Sequence, residues 1–125
     1  MRPKSQTLTA HELELMKIVW GHDNGVTVRD VYEELRTHRT VAYTTVMTSL
    51  KTLEQKGHLK TTLQERAFVY RPARPKHQVI TDMVRDFVNR VFNGASQPLV
   101  LHLLEDEQIT ESDLKEITRM AGKKR

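Results

Sequence analysis

Cysteine is absent from this chain. Disulfides, thiolate zinc sites and thiol switches are therefore excluded, and the composition fits a reducing, cytoplasmic setting. Long apolar runs are missing too. None approaches the roughly 20 residues needed to cross a bilayer, so no membrane insertion is expected. The first residues, MRPKSQTLTAHE, are basic but have no apolar core behind them, so they do not read as a signal peptide. Glycine-rich phosphate loops are lacking, and Ser5, Ser49, Ser96 and Ser112 sit in no nucleophile motif. Six histidines are scattered without a pair at helical ligand spacing. His11 and Glu12 open like a zinc-protease helix, but Leu15 stands where the second histidine would be needed. An enzyme is not expected, and neither is a cofactor or a local metal motif. A His/carboxylate metal site assembled in space stays open as the alternative.

What is present is a modest core and an uneven charge. The chain has 125 residues, 38% of them hydrophobic and 29% charged, and a net charge of +4. That suits one or two small domains. The charge is concentrated: residues 39–76 carry eight Lys and Arg against two Glu, while both flanks are slightly acidic. A local basic patch is the footprint expected for a polyanion partner, with a merely solvated basic surface as the plain alternative.

Residues 40–72 read as a helix, a stop and a β-hairpin. Val46, Leu50 and Leu53 share one helical face, Thr44, Thr48, Lys51 and Gln55 the other, and Gly57 stops the helix. Two β-rich runs, 58–64 and 67–71, meet at Glu65-Arg66. Upstream, Thr9/Glu12 and Thr27/Asp30 have capping-box spacing, as Thr110/Asp113 does later. They predict helices over about 10–20 and 28–37, with Val26–Val28 as a short strand against the hairpin. Helix, helix, helix, strand, strand is the order of a winged helix-turn-helix, so the chain is expected to be mainly α (α+β). In that arrangement Tyr43, Thr44, Thr45, Met47 and Thr48 approach bases. Lys51 and Gln55 lie further along the same helix, within reach of phosphates. Lys60 and Arg66 are the wing's candidate phosphate contacts, with Arg71 extending the basic edge. A polar face without base contacts, and Tyr43 packing at the helix edge, is the alternative. Phe68 and Tyr70 alternate with Val69, which predicts that one side of the second strand packs inward.

Pro72 and Pro75 mark a linker, dividing a winged-helix domain (1–72) from a helical domain (73–125). The latter is predicted as three helices. The first covers 76–92. The second is capped by Ser96 and is apolar nearly all round, so it is expected to be buried on most sides. The third covers about 111–121, followed by a basic tail. So small a set of helices cannot bury its own apolar surface, which points to self-association as a homodimer. The candidate interface residues are Ile80, Val84, Phe87, Val88, Val91, Leu99, Leu101, Leu103, Leu104 and Ile117. Packing back on the N-terminal domain is the competing arrangement.

Over nearly its full length the chain resembles the penicillinase and methicillin-resistance repressors. The likeness runs from LTAHELELMKIVW through AYTTVMTSLKTLEQKGHL and FVYRP to LVLHLLEDE. The resemblance implies a cytoplasmic, homodimeric winged-helix repressor on palindromic double-stranded DNA operators with TACA and TGTA half-sites. It places recognition positions on Thr44, Thr45, Met47 and Thr48. It also implies release through a membrane sensor that triggers proteolysis at an Asn-Phe bond, whose counterpart here is His102-Leu103. The copper-responsive relatives carry a cysteine motif that this chain does not have. A metal- or ligand-sensing winged helix and a winged-helix protein-interaction module are the remaining readings.

Overall fold

The computed structural model describes residues 7–123. In chain order it contains α1 (Ala10–Trp20), α2 (Val28–Leu35), α3 (Tyr43–Gln55), β1 (Leu59–Gln64), β2 (Ala67–Pro72), α4 (Lys76–Phe92), α5 (Ser96–Glu105) and α6 (Glu111–Lys123). Two compact units result. The first ends at Met83 and the second begins at Val84, so the division lies within α4. The proline segment is where β2 hands over to α4.

In the first unit the helices begin where local chemistry satisfies their free N–H groups. The Thr9 hydroxyl accepts from the Glu12 N–H while the Glu12 carboxylate accepts from the Thr9 N–H, and Thr27 with Asp30 does the same for α2. Helix α2 ends at Leu35, two residues short of the expected 37, and the chain continues in turns. Helix α3 ends at Gly57, whose φ of +88° is left-handed, and the His58 N–H closes back onto the Leu53 carbonyl.

The core gathers one stripe from each element. Leu15 and Val19 of α1, Val31 and Leu35 of α2, Val46, Leu50 and Leu53 of α3, and Leu59 and Tyr70 of the hairpin are all buried in one cluster. Val79 of α4 joins it, and Met83 packs against it. The early turns of α4 thus complete the first unit's core.

β1 and β2 pair antiparallel from Leu59↔Pro72 to Gln64↔Ala67. The two residues between them, Glu65 and Arg66, both have positive φ, at 49° and 70°, as a type I′ turn requires. Val26 forms a single bridge to Tyr70, so the expected third strand is present as one residue pair.

Strict alternation along β2 does not hold. Val69 and Tyr70 are both buried and Phe68 is exposed. The reason lies at Gly25, whose φ is +86° and whose added Cβ would stand 2.6 Å from Val69 Cγ1. The 24–27 loop therefore covers the Val69 side of the hairpin while the core covers the Tyr70 side. Gly25→Ala is expected to cost about 1–3 kcal/mol through left-handed strain and this contact. Urea unfolding checks it; a loss below about half a kcal/mol would show that the loop yields.

In the second unit the later part of α4 ends at Asn93 and Gly94, both at positive φ. α5 departs from expectation in two ways. Its cap position is Ala95 with no side-chain hydrogen bond, so Ser96 is the first helical residue and not the cap. None of its residues is buried, and Leu101 is 55% exposed. Three short helices leave such a segment without enough neighbours to surround it. α6 starts at the expected box, with Thr110 and Asp113 exchanging hydrogen bonds. It runs on through Gly122 to Lys123, further than the expected 121; the rest of the tail lies outside the described residues.

Candidate nucleic-acid interface

α3 presents two faces of opposite character. Val46, Leu50 and Leu53 are fully buried, while Thr44, Thr45, Met47, Thr48, Lys51 and Gln55 are exposed. These six side chains offer hydroxyls, a thioether, an ammonium and an amide; Glu54, exposed in the last turn, is the one carboxylate of α3. Threonine can hydrogen-bond either base type and place its methyl against thymine. Thr44, Thr45, Thr48 and Ser49 line a shallow depression on this face. Thr52 is less available than its sequence position suggests. It is half-buried, and its hydroxyl donates to the Thr48 carbonyl.

Three contacts fix the orientation of α3. Tyr43 meets Tyr32 of α2 edge-on, with ring centroids 5.4 Å apart, and still exposes 40% of its surface. The expected packing of Tyr43 at the helix edge is thus observed, and part of the ring stays open to the outside. At the other end of α3, Lys56 Nζ donates to Glu12 Oε1 at 2.7 Å, so the residue that caps α1 also anchors α3. Between them lies a chain of polar groups. Arg39 Nη2 donates to His11 Nδ1 at 2.9 Å, which puts the ring proton on Nε2, and Nε2 donates to Ser49 Oγ at 2.8 Å. Glu14 accepts from Arg39 Nε and Nη2, and that guanidinium holds its carboxyl below the usual carboxylate range against a smaller opposing effect of burial. No local signal announces this network, because its members lie far apart in sequence and become neighbours only when α1 and α3 pack.

The same pairing redistributes the basic patch. Of the eight cations in residues 39–76, Arg39, Lys56 and Arg74 bond to Glu14, Glu12 and Asp82, all outside that stretch. Arg71 is half-buried and donates to Thr62 Oγ1 and to the Asn24 carbonyl, so it braces the wing from within. Lys51, Lys60, Arg66 and Lys76 have no carboxylate partner among the described residues. Lys76 instead lies over the Trp20 ring, 5.6 Å from its centroid. The outward charge is thus carried by Lys51 on α3 and by Lys60 and Arg66 on the wing, all exposed. Local charge counting could not separate them from the paired cations.

The second unit keeps an apolar surface of its own. Val84, Phe87 and Val91 follow one another at helical spacing on α4, and all are exposed, as are Leu101 on α5 and Ile117 on α6. Leu99, Leu103 and Leu104 are half-buried, and so is Ile80 in the first unit. Val88 differs: at 7% exposed it belongs to the chain's own interior and offers a partner almost nothing to cover. His102 is exposed and Leu103 half-buried, both within helical α5. Among the described residues no group of three or more His, Asp or Glu side chains could hold a metal ion. No helix among them is long and apolar enough to cross a membrane.

A sequence profile of the penicillinase repressor family matches residues 8–123. The penicillinase repressor of Bacillus licheniformis is 33% identical over 106 residues, covering 85% of this chain and 82% of that one. The methicillin resistance regulatory protein MecI of Mammaliicoccus sciuri is 23% identical over 124 residues, 99% of this chain and all of that one. The solution structure of monomeric BlaI from Bacillus licheniformis, in complex with the blaP half-operator, aligns with a TM-score of 0.50 and 33% identity. That alignment covers 56% of this chain and 84% of that one. The family profile spans α1 to α6, so this chain belongs to the penicillinase repressor family.

Proposed function

We infer that this chain is a DNA-binding transcriptional repressor that holds a palindromic operator as a homodimer. One observation carries the reading: an outward α3 face of threonines, Met47 and Lys51, whose one exposed carboxylate, Glu54, stands in the last turn, set beside a wing bearing Lys60 and Arg66, in a chain of this family. α3 enters the major groove with Thr44, Thr45, Met47 and Thr48 toward base edges, Tyr43 at its rim and Lys51 toward the backbone. α3 also lacks a side-chain cap. The Thr45 N–H donates to the Ala42 carbonyl, which leaves the Tyr43 and Thr44 N–H groups open to a phosphate oxygen, where the helix dipole favours an anion. Lys60 and Arg66 fix the wing on the backbone, and Arg71 keeps the wing in shape.

Residues 1–72 supply the DNA contacts, with the start of α4 completing their core, and the remainder of 73–125 supplies the dimer contacts. Exposed Val84, Phe87, Val91, Leu101 and Ile117 support self-association, since burying them between two copies removes apolar surface from water. The dimer sets the spacing of TACA and TGTA half-sites. Release follows loss of the dimer, by proteolysis at or near His102-Leu103 triggered from a membrane sensor. The protein acts in the cytoplasm, without a cofactor and without catalysis of its own.

The direct test is fluorescence anisotropy with a TACA/TGTA palindrome and a scrambled duplex of equal length at two salt concentrations. Tight, palindrome-selective binding is expected. Weak, equal and strongly salt-dependent binding to both would reduce the surface to generic polyanion attraction. Thr44→Ala with Thr48→Ala is expected to lower the ratio of operator to scrambled affinity by roughly tenfold while scrambled binding changes little. Equal losses on both duplexes would show that this face does not read bases.

A further inference from the structure

Leu63 and Phe68 are the most exposed large hydrophobic side chains among the described residues, at 65% and 61%. They stand directly opposite each other across the hairpin, one step from the Glu65-Arg66 turn. Side chains so placed touch and form one patch. They share a hairpin face with the Thr61↔Tyr70 and Leu59↔Pro72 pairs, where Leu59 and Tyr70 are buried. The core-facing side of the wing therefore continues past the body as an apolar tip. Folding gains little from that tip, because none of the described residues covers it.

The tip adjoins a turn that carries Arg66 beside Glu65, both exposed. Lys60 is on the opposite face of β1, and β1 packs against α3. A duplex whose major groove holds α3 presents its minor groove to the adjoining wing. Minor grooves accept apolar wedges between cationic contacts, because sugar walls and base-step faces are apolar beneath a charged rim. We propose that Leu63 and Phe68 form an apolar wedge that enters the operator's minor groove beside the α3 site. The wedge responds to groove width and deformability, so it adds discrimination that the wing's phosphate contacts do not supply. This rests on the repressor reading above.

The test uses the full chain, the palindromic and scrambled duplexes, and the variants Leu63→Ser with Phe68→Ser, Phe68→Leu, and Arg66→Ala. The double serine variant should bind the operator roughly tenfold more weakly, with the slope of log affinity against log salt unchanged, since an apolar contact releases no counterions. Phe68→Leu should keep most of the affinity. Arg66→Ala should make the slope shallower by about one. A second arm replaces G·C pairs flanking the half-site by inosine·C, which removes the 2-amino group from the minor groove and leaves the major groove almost intact. Wild type should bind this duplex more tightly than the parent, and the double serine variant should not distinguish them.

Unchanged operator affinity in the double serine variant overturns the proposal. So does a slope change matching that of Arg66→Ala, or an equal response of both proteins to inosine. If the double variant loses its dimer by sedimentation while binding a single half-site normally, the patch joins two copies of the chain and the wedge is wrong. Absence of palindrome preference in the wild type would strike the repressor reading itself, a separate result. Should the double variant fail to fold by circular dichroism, Phe68→Leu and the wild-type response to inosine decide the matter.

Discussion

Replacing Phe87 with aspartate is expected to weaken binding to the full palindrome by about 10²–10⁴-fold while leaving the affinity for an isolated half-site unchanged. Phe87 lies on α4 between Val84 and Val91, 40% exposed, with its ring edge-on to Phe92 at 6.0 Å. An aspartate there costs little in the single chain, because water still reaches the position. In a dimer it would bury an unpaired carboxylate in an apolar contact, which is strongly unfavourable. The monomer would then be favoured. Two linked half-site contacts bind as the product of an intermolecular and an intramolecular step, and losing the link forfeits the second. Sedimentation should show a monomer for the variant against a dimer for the wild type, and anisotropy should show the loss on the palindrome alone. A dimer that persists with full palindrome affinity would remove α4 from the interface.

Lys56→Met is expected to destabilise the first unit by about 2–3 kcal/mol at neutral pH. Glu12 is only 6% exposed and its Oε1 takes the Lys56 ammonium at 2.7 Å. Methionine fills a similar volume, so the loss isolates the charge. Burial pushes the Glu12 carboxyl upward. The Lys56 hydrogen bond, the Thr9 N–H and the Lys56 charge together outweigh it and hold the carboxyl below its ordinary 4.5. The folded state therefore binds fewer protons than the unfolded chain. The stabilisation is complete above about pH 4.5 and is lost as pH falls below it toward the folded-state value. Without Lys56 the burial effect meets less opposition and the carboxyl rises. The deficit of the variant should be largest near pH 7 and shrink on acidification, as protonated Glu12 stops carrying a buried charge. Urea unfolding at pH 7 and pH 4 checks this. A deficit independent of pH would assign the contribution of Lys56 to the packing of its stem.

The residues that were legible in advance share one property: their signal is local. The Thr9/Glu12 and Thr27/Asp30 boxes each complete their own geometry within one helical turn, and both form as the spacing predicts. Gly57 ends α3 because a left-handed residue is cheap only there. The stripe of Val46, Leu50 and Leu53 is a period, and a period assigns a face without knowledge of the partner. The outward identity of Thr44, Thr45, Met47 and Thr48 follows from the same period.

Where the single chain departs from expectation, neighbours are the reason. α5 is apolar nearly all round, yet within one chain none of its residues is buried, because hydrophobicity states a preference for cover and not its supply. Val69 is buried beside Tyr70 because a loop some 40 residues earlier, at Gly25, covers the side that alternation would leave to solvent. Arg71 belongs to the basic edge by position, but Thr62 and the Asn24 carbonyl hold its guanidinium.

From the sequence alone, then, came the winged-helix order of elements, their caps and stops, and the face of α3 that meets the outside. Helical and strand periods and capping are set by residues within a few positions of one another. Tertiary structure alone decided which cations of residues 39–76 remain free for a polyanion, how His11, Arg39 and Ser49 fix α3, and that no described residue covers Leu63 and Phe68 at the wing. Those are properties of distance in space, and a one-dimensional chain does not state which of its distant carboxylates, loops and rings will arrive beside a given side chain.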